Sequence, residues 1–158
     1  MVCVPIEMTS IEKKAIFDAA IGAKKIYLLE EGKAAVVGSG VNISLPEGNT
    51  VIDIGGGSTD IAILSMDEII SSKSIRVASN KFDTDIIKYV KKEFNLLIGE
   101  KTAEEVKIEL GTAIKVPETE NEISSIKGRD LATGIPKNIE ITSNQVYEAI
   151  KDSINEIL

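Results

Sequence analysis

The residues best suited to chemistry form one run, Val51-Ile52-Asp53-Ile54-Gly55-Gly56-Gly57-Ser58-Thr59-Asp60. Three consecutive glycines permit positive φ angles and leave no Cβ in the way of an approaching ligand. Successive N–H groups in such a turn can converge on an anion, and Ser58 and Thr59 add hydroxyl donors. Asp53 closes an apolar strand, a costly position for a carboxylate unless a cation or donors meet it. Hydrated magnesium carried by phosphates suits such a site, because Mg²⁺ keeps several waters and takes few protein ligands. The run therefore reads as a phosphate-binding hairpin, and a glycine-rich hairpin without a ligand stays open as the alternative. A dinucleotide fingerprint is excluded, since β-branched strand residues follow the glycines where a helix would have to begin. A Walker loop is excluded by the missing Gly-Lys-Ser/Thr.

The elements that position this turn follow from hydrophobic spacing and punctuation. Met1–Pro5 reads as a strand, and Thr9 with Glu12 has capping-box spacing for a helix with Ile11, Ala15, Ile16, Ala19 and Ala20 on one stripe, ended by Gly22. Lys25–Leu29 is a short strand closed by Glu30 and Glu31, and Gly32–Val41 a short buried helix. After a loop over Asn42–Asn49, strands at Thr50–Ile54, Thr59–Ser65 and Ile69–Val77 form a meander. Asn80 is a candidate cap for a helix to about Phe94. Thr102 and Glu105 have capping-box spacing for another helix to about Leu110. Glu122–Lys127 and Lys137–Ile141 read as a strand pair, and Ser143–Leu158 as an amphipathic helix bearing Val146, Ile150 and Ile154. A strand at the first residue, and a last helix without a glycine cap, suggest a chain cut from something longer.

Composition narrows the function. The 158 residues carry 18 basic and 25 acidic side chains, a formal net charge of -7, which argues against nonspecific nucleic-acid binding. With no histidine, catalytic triads, His-ligated zinc and imidazole acid–base chemistry are excluded. The single cysteine, Cys3, forms no intrachain disulfide and reads as a small buried hydrophobe. No apolar stretch approaches the ~20 residues of a membrane span, and no signal-peptide pattern opens the chain. A cytoplasmic location is expected.

A phosphate hairpin after an apolar strand and Asp is the pattern of the actin, sugar-kinase and heat-shock-chaperone ATPase superfamily. Asp53–Asp60 (DIGGGSTD), Tyr27–Glu31 (YLLEE) with Ala34 and Ala35, Asn95–Gly111 and Lys127–Lys137 resemble the MreB/Mbl family of bacterial actin-like rod shape-determining proteins from end to end of the chain. The resemblance implies an α/β, RNase H-like actin-ATPase fold. One lobe is expected: a core subdomain over 1–79 with the phosphate hairpin, a smaller inserted α+β subdomain over 80–142, and a helix over 143–158 returning to the core. It implies ATP and magnesium as ligands. Gly55, Gly56, Gly57, Ser58 and Thr59 would hold the β- and γ-phosphates, and Asp53 would position magnesium through water. Glu31 would orient the attacking water, and Glu104 and Lys107 would serve ribose and adenine. By spacing alone, Glu31 is an exposed strand end, and Glu104 with Lys107 a solvated helical pair.

Self-association into filaments and membrane-associated cell-shape partners are implied for the intact protein, with filaments at the inner face of the membrane. The family's other phosphate loop and its adenosine motif are not found in the sequence. Gly32 and Lys33 stand where the family usually has proline and an apolar residue, which loosens the backbone beside Glu31, brings a cation near it and implies slowed or altered hydrolysis. Ser58 and Asp60 replace the commoner Thr and Glu with like chemistry. The rivals are a sugar-kinase-like ATP-dependent phosphotransferase and a non-catalytic interaction module.

Overall fold

A computed structural model describes residues 1–158. In chain order the elements are β1 (Val2–Val4), α1 (Ser10–Ala19), β2 (Leu28–Glu30), α2 (Glu31–Gly38), β3 (Asn49–Ile54), β4 (Thr59–Ser65) and β5 (Glu68–Ile75). They continue with α3 (Ser79–Phe94), β6 (Leu96–Leu97), α4 (Glu100–Leu110), a 3₁₀ turn (Glu118–Glu120), β7 (Ile123–Asp130), β8 (Pro136–Thr142) and α5 (Ser143–Ile157). The chain divides into two compact units, Met1–Arg76 and Val77–Leu158.

In the first unit β1 and β2 pair in parallel, and β3-β4-β5 form a separate antiparallel meander. Alternation turns Val51, Asp53, Asp60, Ala62 and Leu64 to one face of the meander, because residues directly opposite in an antiparallel pair share a face. Helix α2 lies against this face, and Val36, Ile43, Ala62 and Leu64 make the unit's core, with Ile6, Val51 and Ile69 packed on it. At Gly32 helix and sheet approach closely. A Cβ there would stand 3.3 Å from Val51 Cγ1, 3.4 Å from Ile6 Cδ1 and 3.6 Å from the Ala62 Cβ. The residue expected to loosen the backbone beside Glu31 is instead buried in the first turn of a helix, where its missing side chain permits close packing.

Two other expectations for this unit are corrected. Cys3 is exposed rather than buried, because its neighbours Val2 and Val4 turn to the other face of a two-stranded sheet. The Thr9–Glu12 capping box is present, but α1 buries no residue, and Ile11 is 80% exposed.

The second unit builds a larger core. Ile86 and Val90 of α3, Ala103, Val106 and Leu110 of α4, and Val146 and Ile150 of α5 pack with Leu96, Ile98, Ile126 and Ile141. The sheet order is β6-β7-β8, and the two-residue β6 is too short to leave a periodic signal in the sequence. Helix α5 begins in a capping box, with Thr142 and Gln145 each accepting from the other's N–H. It packs on α3, α4 and β8 within this unit, so residues 143–158 lie with residues 80–142 rather than with the first part of the chain. Their apolar stripe finds its partners in the α3–α4 pair. Helix α4 starts at Glu100 with Gly99 as its cap. Thr102 therefore lies inside the first turn, and burial of Ile98 and Ala103 on either side of the start fixes that boundary. Likewise Ala78, not Asn80, precedes the first turn of α3.

Candidate functional site

The hairpin joining β3 to β4 is held by six pairs running from Asn49 opposite Leu64 to Ile54 opposite Thr59. One further bond closes it, the Gly55 N–H donating to the Ser58 carbonyl at 3.0 Å. The N–H groups of Gly56, Gly57 and Ser58 find no backbone partner and are left to solvent or a ligand. None of Gly55, Gly56 and Gly57 has positive φ; the glycines that do are Gly22, Gly40 and Gly134. The turn does not use the positive φ that glycine permits, and its glycines act through their missing side chains. A Cβ on Gly57 would meet nothing within 4 Å, whereas one on Gly55 would press on the Ser58 carbonyl at 3.3 Å. A depression of about 270 Å³ borders the turn, lined by Gly57, Ser58, Ser74, Glu12 and Arg76 among others. Arg76 lies in that wall with its guanidinium 3.2 Å from Glu12.

Three carboxylates stand behind the turn. Asp53 and Asp60 are directly opposite across the β3–β4 ladder, so their Cβ atoms are about 5 Å apart on one face. Asp60 is 2% exposed, and its Oδ1 has no hydrogen-bond partner. Glu31 opens α2, which packs on that same face through Gly32. Burial, then the charges of Asp53 and Asp60, hold the Glu31 carboxyl above its ordinary range. Such a site concentrates uncompensated negative charge beside vacant backbone donors, an arrangement suited to a cation bridging carboxylate and anion. No three acidic groups converge closely enough to ligate a metal directly; the donor set fits a hydrated Mg²⁺ held through water. Asp60 was passed over in the sequence as a like-for-like replacement. Its position was legible, since a turn centred between Gly56 and Gly57 puts Asp53 and Asp60 at equal distance on either side.

Glu104 and Lys107 belong to the second unit, and the structure treats them differently. Glu104 is exposed and lines an open cleft of about 450 Å³ with Asn80, Asp83, Thr84, Glu100 and Lys101. Lys107 is not a solvated partner for Glu104. Its Nζ donates to Ser79 Oγ at 2.6 Å and to Asp83 Oδ2 at 2.9 Å, and Asp83 Oδ1 makes an ion contact at 2.8 Å. Both charged side chains are 15% exposed. Their pairing ties α4 to α3, so a structural role for Lys107 exists whatever it touches besides.

A family model described as MreB/Mbl protein matches residues 1–158. The cell shape-determining protein Mbl of Bacillus subtilis (strain 168) is 47% identical over 160 residues, a match covering 100% of this chain and 47% of that protein. The cell shape-determining protein MreB of Escherichia coli (strain K12) is 39% identical, covering 100% of this chain and 46% of that protein. Among solved structures, MreB5 of Spiroplasma citri bound to ADP superposes with a TM-score of 0.90 at 41% identity, covering 98% of this chain and 47% of that one. The same protein bound to AMPPNP gives 0.89 at 41% identity, with 98% and 46% covered. The chain spans about half the length of the curated relatives it matches.

Removing one partner of a largely buried ion pair strands the other, so Lys107→Met is expected to cost about 2 kcal/mol in urea unfolding. Glu104→Gln, on an exposed helical face, is expected to stay within about 0.5 kcal/mol. Equal effects would contradict the division of roles. For Glu31, a raised folded-state pKa means that the native state holds the proton more tightly than the unfolded chain, so stability falls as pH rises through the carboxylate range. Glu31→Gln is therefore expected to melt above the parent at pH 7, with the difference vanishing below the ordinary value of 4.5. A parent that stays equally stable relative to Gln across that range would contradict it.

Proposed function

The chain belongs to the MreB/Mbl family and has its actin-ATPase α/β fold, and from that premise we propose that it is part of an actin-like cell-shape protein that binds ATP with magnesium and assembles into filaments. The observation that carries the nucleotide reading is the β3–β4 turn, where three N–H groups without backbone partners stand beside Asp53. Support comes from the solved neighbours, which are described as bound to ADP and to AMPPNP. Support for the cell-shape role comes from relatives named cell shape-determining proteins.

In this reading the amides of Gly56, Gly57 and Ser58 receive phosphate oxygens, and the hydroxyls of Ser58 and Thr59 add donors. Asp53 holds the magnesium hydration shell, and the Asp60 charge reinforces the local field. Glu31 orients the attacking water, positioning being the chief protein task in phosphoryl transfer. Glu104 faces the nucleoside, and Lys107 holds the helix that carries it. Magnesium, when bound, neutralises charge developing on the transferred phosphoryl group. Filaments arise from head-to-tail contacts, which leave open ends and grow without closure, and their partners would be cell-shape proteins at the membrane. No helix of the chain is long and apolar enough to cross a membrane.

A chimera tests this proposal, with these 158 residues replacing the matching part of Bacillus subtilis Mbl. It is expected to pellet with MgATP, and Asp53→Asn or Gly57→Val is expected to reduce ATP affinity by about tenfold or more. Pelleting and ATP affinity indifferent to both substitutions would defeat the proposal, as would ADP release that rises with added sugar.

A further inference from the structure

In the ATP reading, water cleaves the terminal P–O bond and leaves a free phosphate ion beside the turn, from which it must depart. The depression of about 270 Å³ borders the same Gly57 and Ser58. Its other walls come from the end of β5 and from the β1–α1 segment. Ser74 is directly opposite Asp60 and Ile75 opposite Thr59, so the chain leaving β5 brings Arg76 level with Ser58. Arg76 is the one cation lining the depression, against Glu7 and Glu12. Its Nη2 donates to Glu12 Oε1 at 3.2 Å. The other carboxylate oxygen of Glu12 accepts from the Thr9 N–H and from the Thr9 hydroxyl, each at 2.8 Å. The capping box thus fixes Glu12, and Arg76, with a side chain 81% exposed, is the partner free to move. An ion pair this exposed contributes little to stability, whereas a phosphate offers two charges and several oxygens to a guanidinium fork. Exchange of Glu12 for phosphate therefore costs the fold little.

We propose that this depression is the exit site for inorganic phosphate cleaved at the turn, with Arg76 receiving the ion and the Glu12–Arg76 pair acting as its latch. The inference rests on the ATP reading and adds a route that the reading does not supply. While the pair is closed, Arg76 is engaged and the turn amides serve the nucleotide. Once the terminal bond is broken, the free ion draws Arg76 from Glu12 and passes between the hydroxyls of Ser58 and Ser74. One cation against the carboxylates of Glu7 and Glu12 holds a dianion weakly. A passage needs that balance, strong enough to admit the ion and weak enough to release it.

The chimera with Bacillus subtilis Mbl tests the route, with cleavage followed by acid quench and free phosphate by a fluorescent phosphate sensor. Arg76→Gln is expected to slow phosphate release about tenfold, with MgATP affinity and first-turnover cleavage unchanged. Glu12→Gln keeps a capping acceptor for Thr9 but removes the latch that limits release, and is expected to quicken release about threefold. A pair that only ties α1 to β5 is broken equally by either substitution, so effects of the same sign overturn the inference. So does a loss of MgATP affinity in Arg76→Gln, which makes Arg76 a nucleotide contact. The second measurement is titration of the ¹⁵N-labelled 158-residue chain with inorganic phosphate, against chloride at equal ionic strength. The Arg76 Nε–H and the Ser58 amide are expected to shift saturably with phosphate alone, and the Ser58 response to be lost in Arg76→Gln. An Arg76 signal indifferent to phosphate overturns the inference whatever the chimera does. A chimera that neither binds nor cleaves MgATP sinks the ATP reading and the exit role with it. One that does both while Arg76 ignores phosphate sinks the exit alone.

Discussion

Six consecutive pairs lock β3 and β4 into antiparallel register, from Asn49 opposite Leu64 to Ile54 opposite Thr59, and the candidate site follows from that ladder. The register ends the pairing at Gly55 and Ser58, so the next amides have no strand to bond. It sets Asp53 opposite Asp60, an unfavourable like-charge pair. It also turns Ala62 and Val51 toward α2, which carries Glu31 to the same face. A slip of one residue in either strand would reverse that strand's side chains relative to its partner, moving its aspartate away from Glu31 and its isoleucines into the core.

The ladder concentrates negative charge at one end without a matching protein cation. Asp60 is buried with an unpartnered oxygen, and the Glu31 proton is held more tightly than usual. Such unpaired groups are costly in a stable core. They are understandable where a ligand brings the missing charge, because stability given up in the free protein is returned on binding. Lys107 and Asp83 show the opposite solution, two charges satisfied internally at the α3–α4 contact. One pair of groups awaits a partner and the other has found it.

Much of this was legible in the residues. The meander, the turn and the capping box at Thr9 follow from local pattern, and the strand Thr59–Ser65 was placed to the residue. What failed depended on tertiary context. The capping-box spacing at Thr102 lost to an earlier start at Gly99, since burial of Ile98 and Ala103 outweighs one side-chain cap. The placement of residues 143–158 needed the packing of α5 on α3, which no local spacing encodes. Of the two properties that a run of glycines offers, the turn uses the open space above Gly57 and not positive φ. Glu104 and Lys107 look equivalent on a helical wheel, and only the approach of Ser79 and Asp83 separates them.

Amide resonances report most directly on whether the bare turn receives phosphate. Titration of the ¹⁵N-labelled chain with MgATP is predicted to shift the N–H signals of Gly56, Gly57 and Ser58 saturably, with Gly134 in the second unit unmoved and the response lost in Asp53→Asn. Turn amides that stay in place while signals elsewhere move would contradict the account.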